Sequence, residues 1–247
     1  MREYFIPGRN LPKTYHEALF FLEECGEISD CADWNTKQKE ISVTMFVENP
    51  LAEPMISKCF IGGAYELQQY VMEMLDGILD FEVEKGNWDY TYHQRYADQY
   101  QFVINELRRN PSSRRAVMDI RDKLTDMYSN DPACMQHIQF FIRNNRLHMK
   151  VLFRSNDAVK AAFMNAFALI MLQKRVADEL GVEVGTYTHR ANSFHCYERD
   201  FDLLHNYVKR YVNSEDLTYD YVDDWKDDME EAIPMILQKV EELKTHE

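Results

Sequence analysis

The sequence predicts an α+β fold in a single domain, a large mixed β-sheet covered by helices on one side. Three observations carry this. Segments with the twofold apolar alternation of strands are interleaved with segments of helical spacing. An antiparallel hairpin sits near the middle of the chain. Hydrophobic residues make up 45% of the 247 positions and aromatic residues 13%, enough for one sizeable core, and no linker divides the chain.

The hairpin is the most strongly patterned element. Its returning strand places Leu147, Met149, Val151 and Phe153 at alternate positions. The preceding Asn144-Asn145 pair tolerates the positive φ that a two-residue turn requires. A hairpin brings its outer ends together, so Cys134 and Arg154 should be neighbours despite their sequence separation. A thiol attacks only as thiolate, and a nearby guanidinium favours that form while it can also grip an anion. Taken alone, a cysteine at a strand start is ordinarily a small buried apolar residue.

From the beginning, Pro7, Gly8 and Pro12 mark an irregular opening, followed by a helix over 15–24. A strand over 40–47 alternates Val43, Met45 and Val47 on one face. Leu67, Tyr70, Val71, Met74, Leu75 and Ile78 have helical spacing, which predicts a helix over 64–79. Glu66 then falls in its first turn, where an acid complements the helix dipole. A second helix over 97–109 gives way at Asn110-Pro111 to a strand over 115–120. Arg114 and Arg115 lie on this extended segment and point to opposite faces, so one of them must leave the local surface or reach another chain. After Asp157 a long apolar helix runs to Leu180 and stops at Gly181, with Asn165 near its start. His195 and Tyr197 share one face of a strand. A helix over 200–211, an acidic run over 216–231 and a final helix interrupted by Pro234 and reaching Lys244 close the sequence.

Charge and cysteine content exclude several classes. A net charge of −14 argues against a nucleic-acid surface, which needs a basic face. The five cysteines (25, 31, 59, 134 and 196) are odd in number and lack metal-ligand spacing, and no signal peptide or long apolar span is evident. The expectation is a reduced, cytoplasmic protein with no metal and no membrane partner.

The residues and their intervals together resemble the thymidylate synthase and pyrimidine nucleotide (dUMP, dCMP) hydroxymethylase family. The similarity rests on Glu66, Trp88, Ser113-Arg114-Arg115, Cys134, Gln139, Arg154-Ser155-Asn156-Asp157, Asn165, the segment Leu180 to Gly185 and His195-Cys196-Tyr197. It is strongest over 64–200, with a divergent beginning and end. The resemblance implies folate-dependent one-carbon transfer to C5 of a pyrimidine deoxynucleotide, with 5,10-methylenetetrahydrofolate as cosubstrate. Cys134 would be the nucleophile, Glu66 the proton relay through water, and Arg154 a catalytic and phosphate-holding cation. Arg114, Arg115, Gln139, Ser155, His195 and Tyr197 would bind nucleotide. Asn165 would read the base as uracil, whereas aspartate at that position favours cytosine. Trp88 and Asp157 would face the folate, and either Tyr90 or Tyr92 matches a family tyrosine. The resemblance further implies a homodimer whose two sheets pack back to back, with Arg114 and Arg115 crossing to the neighbouring nucleotide. The conversion of dUMP to dTMP ranks first. Hydroxymethylation of dUMP or dCMP is the alternative, because Met135 follows Cys134 and Ala191–His195 replaces a Gly-Asp pattern. A catalytically inert nucleotide-binding relative is the next, and a regulatory RNA-binding role is disfavoured by charge. Two departures stand out: Lys37 and Lys39 occupy the region where the family has a phosphate-binding arginine, and Lys244-Thr245-His246-Glu247 is not the apolar tail of the synthases.

Overall fold

A computed structural model describes residues 1–245; the end of the polar tail named above, His246 and Glu247, lies outside the described residues. Strand β1 (Glu3–Gly8) replaces the irregular opening expected from Pro7 and Gly8. It tolerates a proline because it is an edge strand, paired only with β3. Helix α1 (Leu11–Cys25) starts earlier than its apolar spacing suggests. Asn10 accepts a hydrogen bond from the Lys13 N–H, and Pro12 sits in the first turn, where no backbone donor is needed. Strands β2 (Glu27–Cys31) and β3 (Thr36–Val47) form an antiparallel hairpin. The first part of β3 is polar and largely half-buried, paired with β2 on one side and with the end of β8 on the other, and its polarity hides it from an alternation test.

The remaining strands are β4 (Ile56–Ser57), β5 (Val117–Asp119), β6 (Met135–Arg143), β7 (Arg146–Asp157), β8 (Glu183–Tyr197) and β9 (Thr218–Tyr219). The main sheet runs β1-β3-β8-β7-β6-β5, with β2 also on β3. The pairs β1·β3 and β7·β8 are parallel and the others antiparallel, so the sheet is mixed. Between β6 and β7, Asn144 and Asn145 take φ of 52° and 56°, matching the right-handed strand twist through a two-residue turn.

The helices are α2 (Ala64–Asp76), α3 (Phe81–Glu84), α4 (Tyr92–Arg109), α5 (Ala162–Leu180), α6 (Phe201–Val212), α7 (Tyr221–Asp224) and α8 (Lys226–Thr245), besides α1. One sheet face carries Val43, Met45, Met149, Val151, Phe153, Tyr187 and Ala191, all buried with the apolar side of α5. The alternate residues, among them Phe5, Phe46, Phe141, Lys150, Leu152 and Arg190, look the other way and are partly or fully exposed. Pro234 does not interrupt α8 as expected: it lies on an exposed face, so the carbonyl it leaves unbonded reaches water, while Met229, Ala232, Ile236 and Val240 stay buried. Gly181 ends α5 with φ of 69°, as its position suggests.

Two histidines are built into this core in neutral form. His16 Nε2 meets Ser57 Oγ at 2.7 Å, and burial pulls its pKa from 6.5 to about 4. His189 lies between the Tyr187 hydroxyl (2.9 Å) and Asn156 Oδ1 (2.8 Å), stacked on Phe153, and burial pulls it to about 3. Unfolding frees both to take up protons, so their contribution is complete above pH 6.5 and is lost as the pH falls toward their folded values. For His16 the loss amounts to roughly 3 kcal/mol by pH 4. Urea titrations at pH 7 and pH 4.5 should show a His16→Gln chain losing less stability on acidification than the parent; an equal loss would remove His16 from the explanation.

Candidate active site

Cys134 stands immediately before β6, and Arg154 faces it across the hairpin. The Arg154 N–H donates to the Cys134 carbonyl at 2.8 Å. The Arg154 guanidinium donates to the carbonyls of Pro132 and Ala133 and lies 3.9 Å from Asp131. One side chain therefore clamps the backbone that presents the thiol and also places a positive charge near the sulfur. Burial raises the Cys134 pKa, and Arg154 opposes that rise. Rings of Tyr70, Tyr90, Tyr92 and Tyr197 surround the thiol closely enough for their ionisation to be coupled to its charge.

Asn165, 4% exposed in the second turn of α5, accepts a hydrogen bond at Oδ1 from the Tyr70 hydroxyl. Its Nδ2 makes no hydrogen bond among the described residues. On β7 and β8, Ser155 Oγ is 3.3 Å from His195 Nδ1, and the His195 and Tyr197 rings meet edge to face at 4.8 Å. His195 Nε2 is buried without a partner among the described residues. An unsatisfied buried ring nitrogen costs on the order of 1–3 kcal/mol, so a ligand hydroxyl is a natural complement. Burial lowers the His195 pKa, with Asp157, the Ser193 backbone and Glu40 acting in opposition. Asp157 Oδ1 accepts from the Val159 and Lys160 N–H groups at 3.0 and 2.9 Å, which fixes the chain's entry toward α5.

Beside this group opens a cavity of about 420 Å³ lined by Tyr70, Glu73, Trp88, Asp89, Tyr90, Tyr92 and Asp131. Its size and mixture of aromatic and polar groups suit a small-molecule site. Burial pushes the Glu73 carboxyl upward, with donation from Gln69 Nε2 at 2.8 Å opposing it.

Not every expected residue gathers here. Glu66 is exposed, and its Oε2 accepts the Gly63 N–H at 2.8 Å, so it caps its own helix and is absent from the cavity lining. This departs from the expected relay role: Glu66, Tyr70 and Glu73 share one helical face, and only the latter two reach the cavity. Both were legible as chemistry, but Tyr70 was absorbed into the apolar stripe of α2 and Glu73 carried no motif. Gln139 points to the helix-free side of the sheet, where its Nε2 donates to the Arg114 carbonyl at 3.0 Å. Arg114 and Arg115 precede β5 on a surface loop, and both are exposed rather than directed to opposite faces of a strand. Of the N-terminal lysines, Lys39 is paired with Glu23 at 2.6 Å, while Lys37 lines a shallow pocket with Asp30, Cys31 and Glu198. Among the described residues no cluster of His, Cys, Asp and Glu could hold a metal ion, and no helix is long and apolar enough to cross a membrane.

Sheet, hairpin and cleft define an α+β protein in which a partly accessible thiol packed on the core sits next to a tyrosine-lined cavity. The profile of the family described as thymidylate synthase matches residues 12–231. A protein of Methanocaldococcus jannaschii provisionally named as a thymidylate synthase is 34% identical over 222 residues, covering 83% of this chain and 95% of its own. A Methanosarcina barkeri protein with the same provisional name is 35% identical over 206 residues, covering 83% and 94%. The solved structure of thermostable thymidylate synthase A from Bacillus subtilis is similar in fold, with a TM-score of 0.64 at 18% identity over 81% of this chain and 84% of that one. The chain belongs to the thymidylate synthase family.

The electrostatic role of Arg154 has a direct test. Alkylation of Cys134, followed peptide by peptide across a pH series, should give a midpoint that moves upward in Arg154→Ala, since the opposing cation is gone. An unmoved midpoint would leave Arg154 as a backbone clamp only.

Proposed function

We propose that the protein transfers a one-carbon unit from 5,10-methylenetetrahydrofolate to C5 of dUMP, giving dTMP, through a covalent adduct at Cys134. The observation that carries this reading is a thiol held beside the Arg154 guanidinium, with Tyr70, which lines the adjoining cavity and donates to the buried Asn165 amide, close enough to feel the sulfur's charge. The Cys134 thiolate adds to C6 of the ring, and electron density moves to C5 and O4. C5 would then bond to the methylene carbon of the cosubstrate and lose its proton, the carbon–nitrogen bond to the folate would break, and the exocyclic methylene would take hydride from the tetrahydrofolate so released, giving dihydrofolate and dTMP as the thiolate leaves.

Each remaining group has a role set by its surroundings. The free Nδ2 of Asn165 donates to O4, and Oδ1 has a second lone pair for N3–H, which complements uracil. His195 Nε2 and Tyr197 take the sugar hydroxyl. Arg154 and Ser155 meet the phosphate, joined by Arg114 and Arg115 from a second copy. Six residues of strand from Cys134 through Gln139 span roughly 17 Å, so a side chain beside Gln139 cannot return to its own thiol. The helix-free sheet face, with Phe5, Phe46, Phe141 and Leu152, supports a back-to-back homodimer. Trp88, Tyr90 and Tyr92 offer stacking faces for a pterin, while Glu73, Asp131 and Asp157 can accept its N–H groups.

Proton handling falls to Tyr70 and Glu73 in place of Glu66. Tyr70 touches the base-reading amide, and burial raises the Glu73 pKa, so this carboxyl holds a proton more readily than an exposed one would. The polar, solvent-connected cavity also favours a second reading in which water, rather than hydride, captures the exocyclic methylene and leaves a hydroxymethyl group.

Release of tritium from 5-labelled dUMP in the presence of methylenetetrahydrofolate should depend on Cys134: Cys134→Ser abolishes it while nucleotide binding persists. Sound binding with no release in the parent chain would support an inert relative. Glu73→Gln should lower kcat by about 10²-fold, the usual weight of a positioned acid or base, whereas Glu66→Gln should stay within about twofold, as expected for an exposed cap away from the chemistry. The reverse order would restore Glu66 to the relay. Mass spectrometry of the product separates methyl from hydroxymethyl.

A further inference from the structure

Outside the cleft, the most heavily engaged carboxylate of the α4 end belongs to Glu106. It is 6% exposed, yet two exposed arginines and a serine converge on it. Ser113 Oγ donates to Oε1 at 2.5 Å and Arg115 Nε donates to the same oxygen at 3.2 Å. Arg115 Nη2 is also 3.2 Å from Oε1, while Arg109 Nη2 reaches Oε2 at 2.6 Å. Burial alone would raise this carboxyl, but the Ser113 and Arg109 hydrogen bonds prevail and hold it down at about 2. It stays charged over the whole working range.

The geometry is asymmetric in a useful way. Arg115 spends its Nε edge on one buried oxygen and leaves its Nη1 side open, with the side chain 70% exposed. A guanidinium meets a phosphate through two N–H donors in a fork, and an arginine already held by one edge loses less rotamer freedom when the other edge binds. Arg109 shares the carboxylate, so the three groups keep a net positive charge. Nearby Arg114 is exposed with no side-chain partner among the described residues, and Arg143 Nη2 donates to the Ser112 carbonyl at 3.3 Å. In a chain of net charge −14 this is a local basic surface, set apart from the thiol of its own subunit.

We propose that Glu106 is a positioning residue that pre-sets Arg115 to grip the phosphate of a nucleotide bound in a second copy of the chain. This rests on the reading of Arg115 as a ligand to the neighbouring nucleotide. Glu106 touches no substrate; it acts by fixing the direction of the guanidinium. A role confined to holding the loop between α4 and β5 would affect stability without regard to whether the ligand carries a phosphate.

The test uses the full chain and two probes, dUMP and its phosphate-free analogue deoxyuridine. Glu106→Gln should weaken dUMP binding about tenfold, as expected for loss of a pre-oriented charge-assisted fork, with deoxyuridine affinity unchanged. Arg115→Ala should do the same, and the double variant should be no worse than Arg115→Ala alone. Glu106→Asp, which keeps the charge but draws it back from Arg115, serves as the second variant and should also weaken dUMP selectively. If Arg115→Ala weakens dUMP while neither Glu106 variant does, the positioning role is wrong and the phosphate reading stands. If Arg115→Ala leaves dUMP untouched, the phosphate reading itself fails. Equal loss of dUMP and deoxyuridine affinity in the Glu106 variants would reduce Glu106 to a loop tie.

Discussion

The hydrogen bond from the Arg154 N–H to the Cys134 carbonyl is the constraint on which the cleft depends. It is the last rung of the β6–β7 hairpin, and its register is set at the far end by two asparagines in left-handed conformation. A slip by one residue would turn Phe153 outward and carry Arg154 into the core. The irregularity between Met135 and His137 lets the ladder end with Cys134 and Arg154 together although the strand below them is shifted. Because the guanidinium also takes the carbonyls of Pro132 and Ala133, the segment entering the strand cannot swing away from the cation that tunes the thiol.

Around that rung the site is assembled from elements far apart in sequence, each of which brings a polar group into an apolar setting. Asn165 comes from α5, Tyr70 from α2, and His195 and Tyr197 from β8, the parallel neighbour of β7. The parallel pairing matters because it aligns Ser155 with Ser193 and Asp157 with His195, so the ends of two strands deliver their polar residues at the same level. Where partners exist within the chain, as with the Tyr187–His189–Asn156 chain beneath, the polar groups are satisfied and serve the core. Among the described residues the His195 nitrogen breaks that pattern, buried and without a partner, which fits the proposed approach of a ligand hydroxyl from that side.

Periodicity revealed what depends on one buried face. The hairpin, the apolar side of β3, the span of α5 and its glycine stop all follow from alternation, helical spacing and a residue that accepts positive φ. What escaped it was decided by pairing or by solvent: β1, where Pro7 is harmless at an edge; the polar half of β3, which lies between β2 and the end of β8; and Pro234, carried by α8 because its exposed side is wet. The site divides similarly. Cys134, Arg154, Ser155, Asn165, His195 and Tyr197 were singled out by a resemblance in their intervals, and in the fold they lie on strand and helix ends of the same sheet and helix layer. Interval alone does not say which turn of α2 faces the cavity: Glu66 caps the helix, while Tyr70 and Glu73, hidden in a helix read for its apolar stripe, line that cavity.

The distribution of charge fits the proposed completion of the site from a second copy. The cavity beside Cys134 is lined by Glu73, Asp89 and Asp131, with Arg154 the near cation, and much of its donor capacity is spent on backbone carbonyls. A phosphate dianion held at Arg154 and Ser155, as proposed, would have that single, largely committed cation against this acidic surround. The exposed arginines that could redress this, Arg114 and Arg115, lie beside Gln139, farther along β6 than an arginine can stretch. A protein with so acidic a composition gains nothing in solubility from a concentrated basic patch, and tethering Arg115 to a buried carboxylate costs the desolvation of that anion. Such a cost is sensible where the guanidinium must already be aimed when an anion arrives from a second copy.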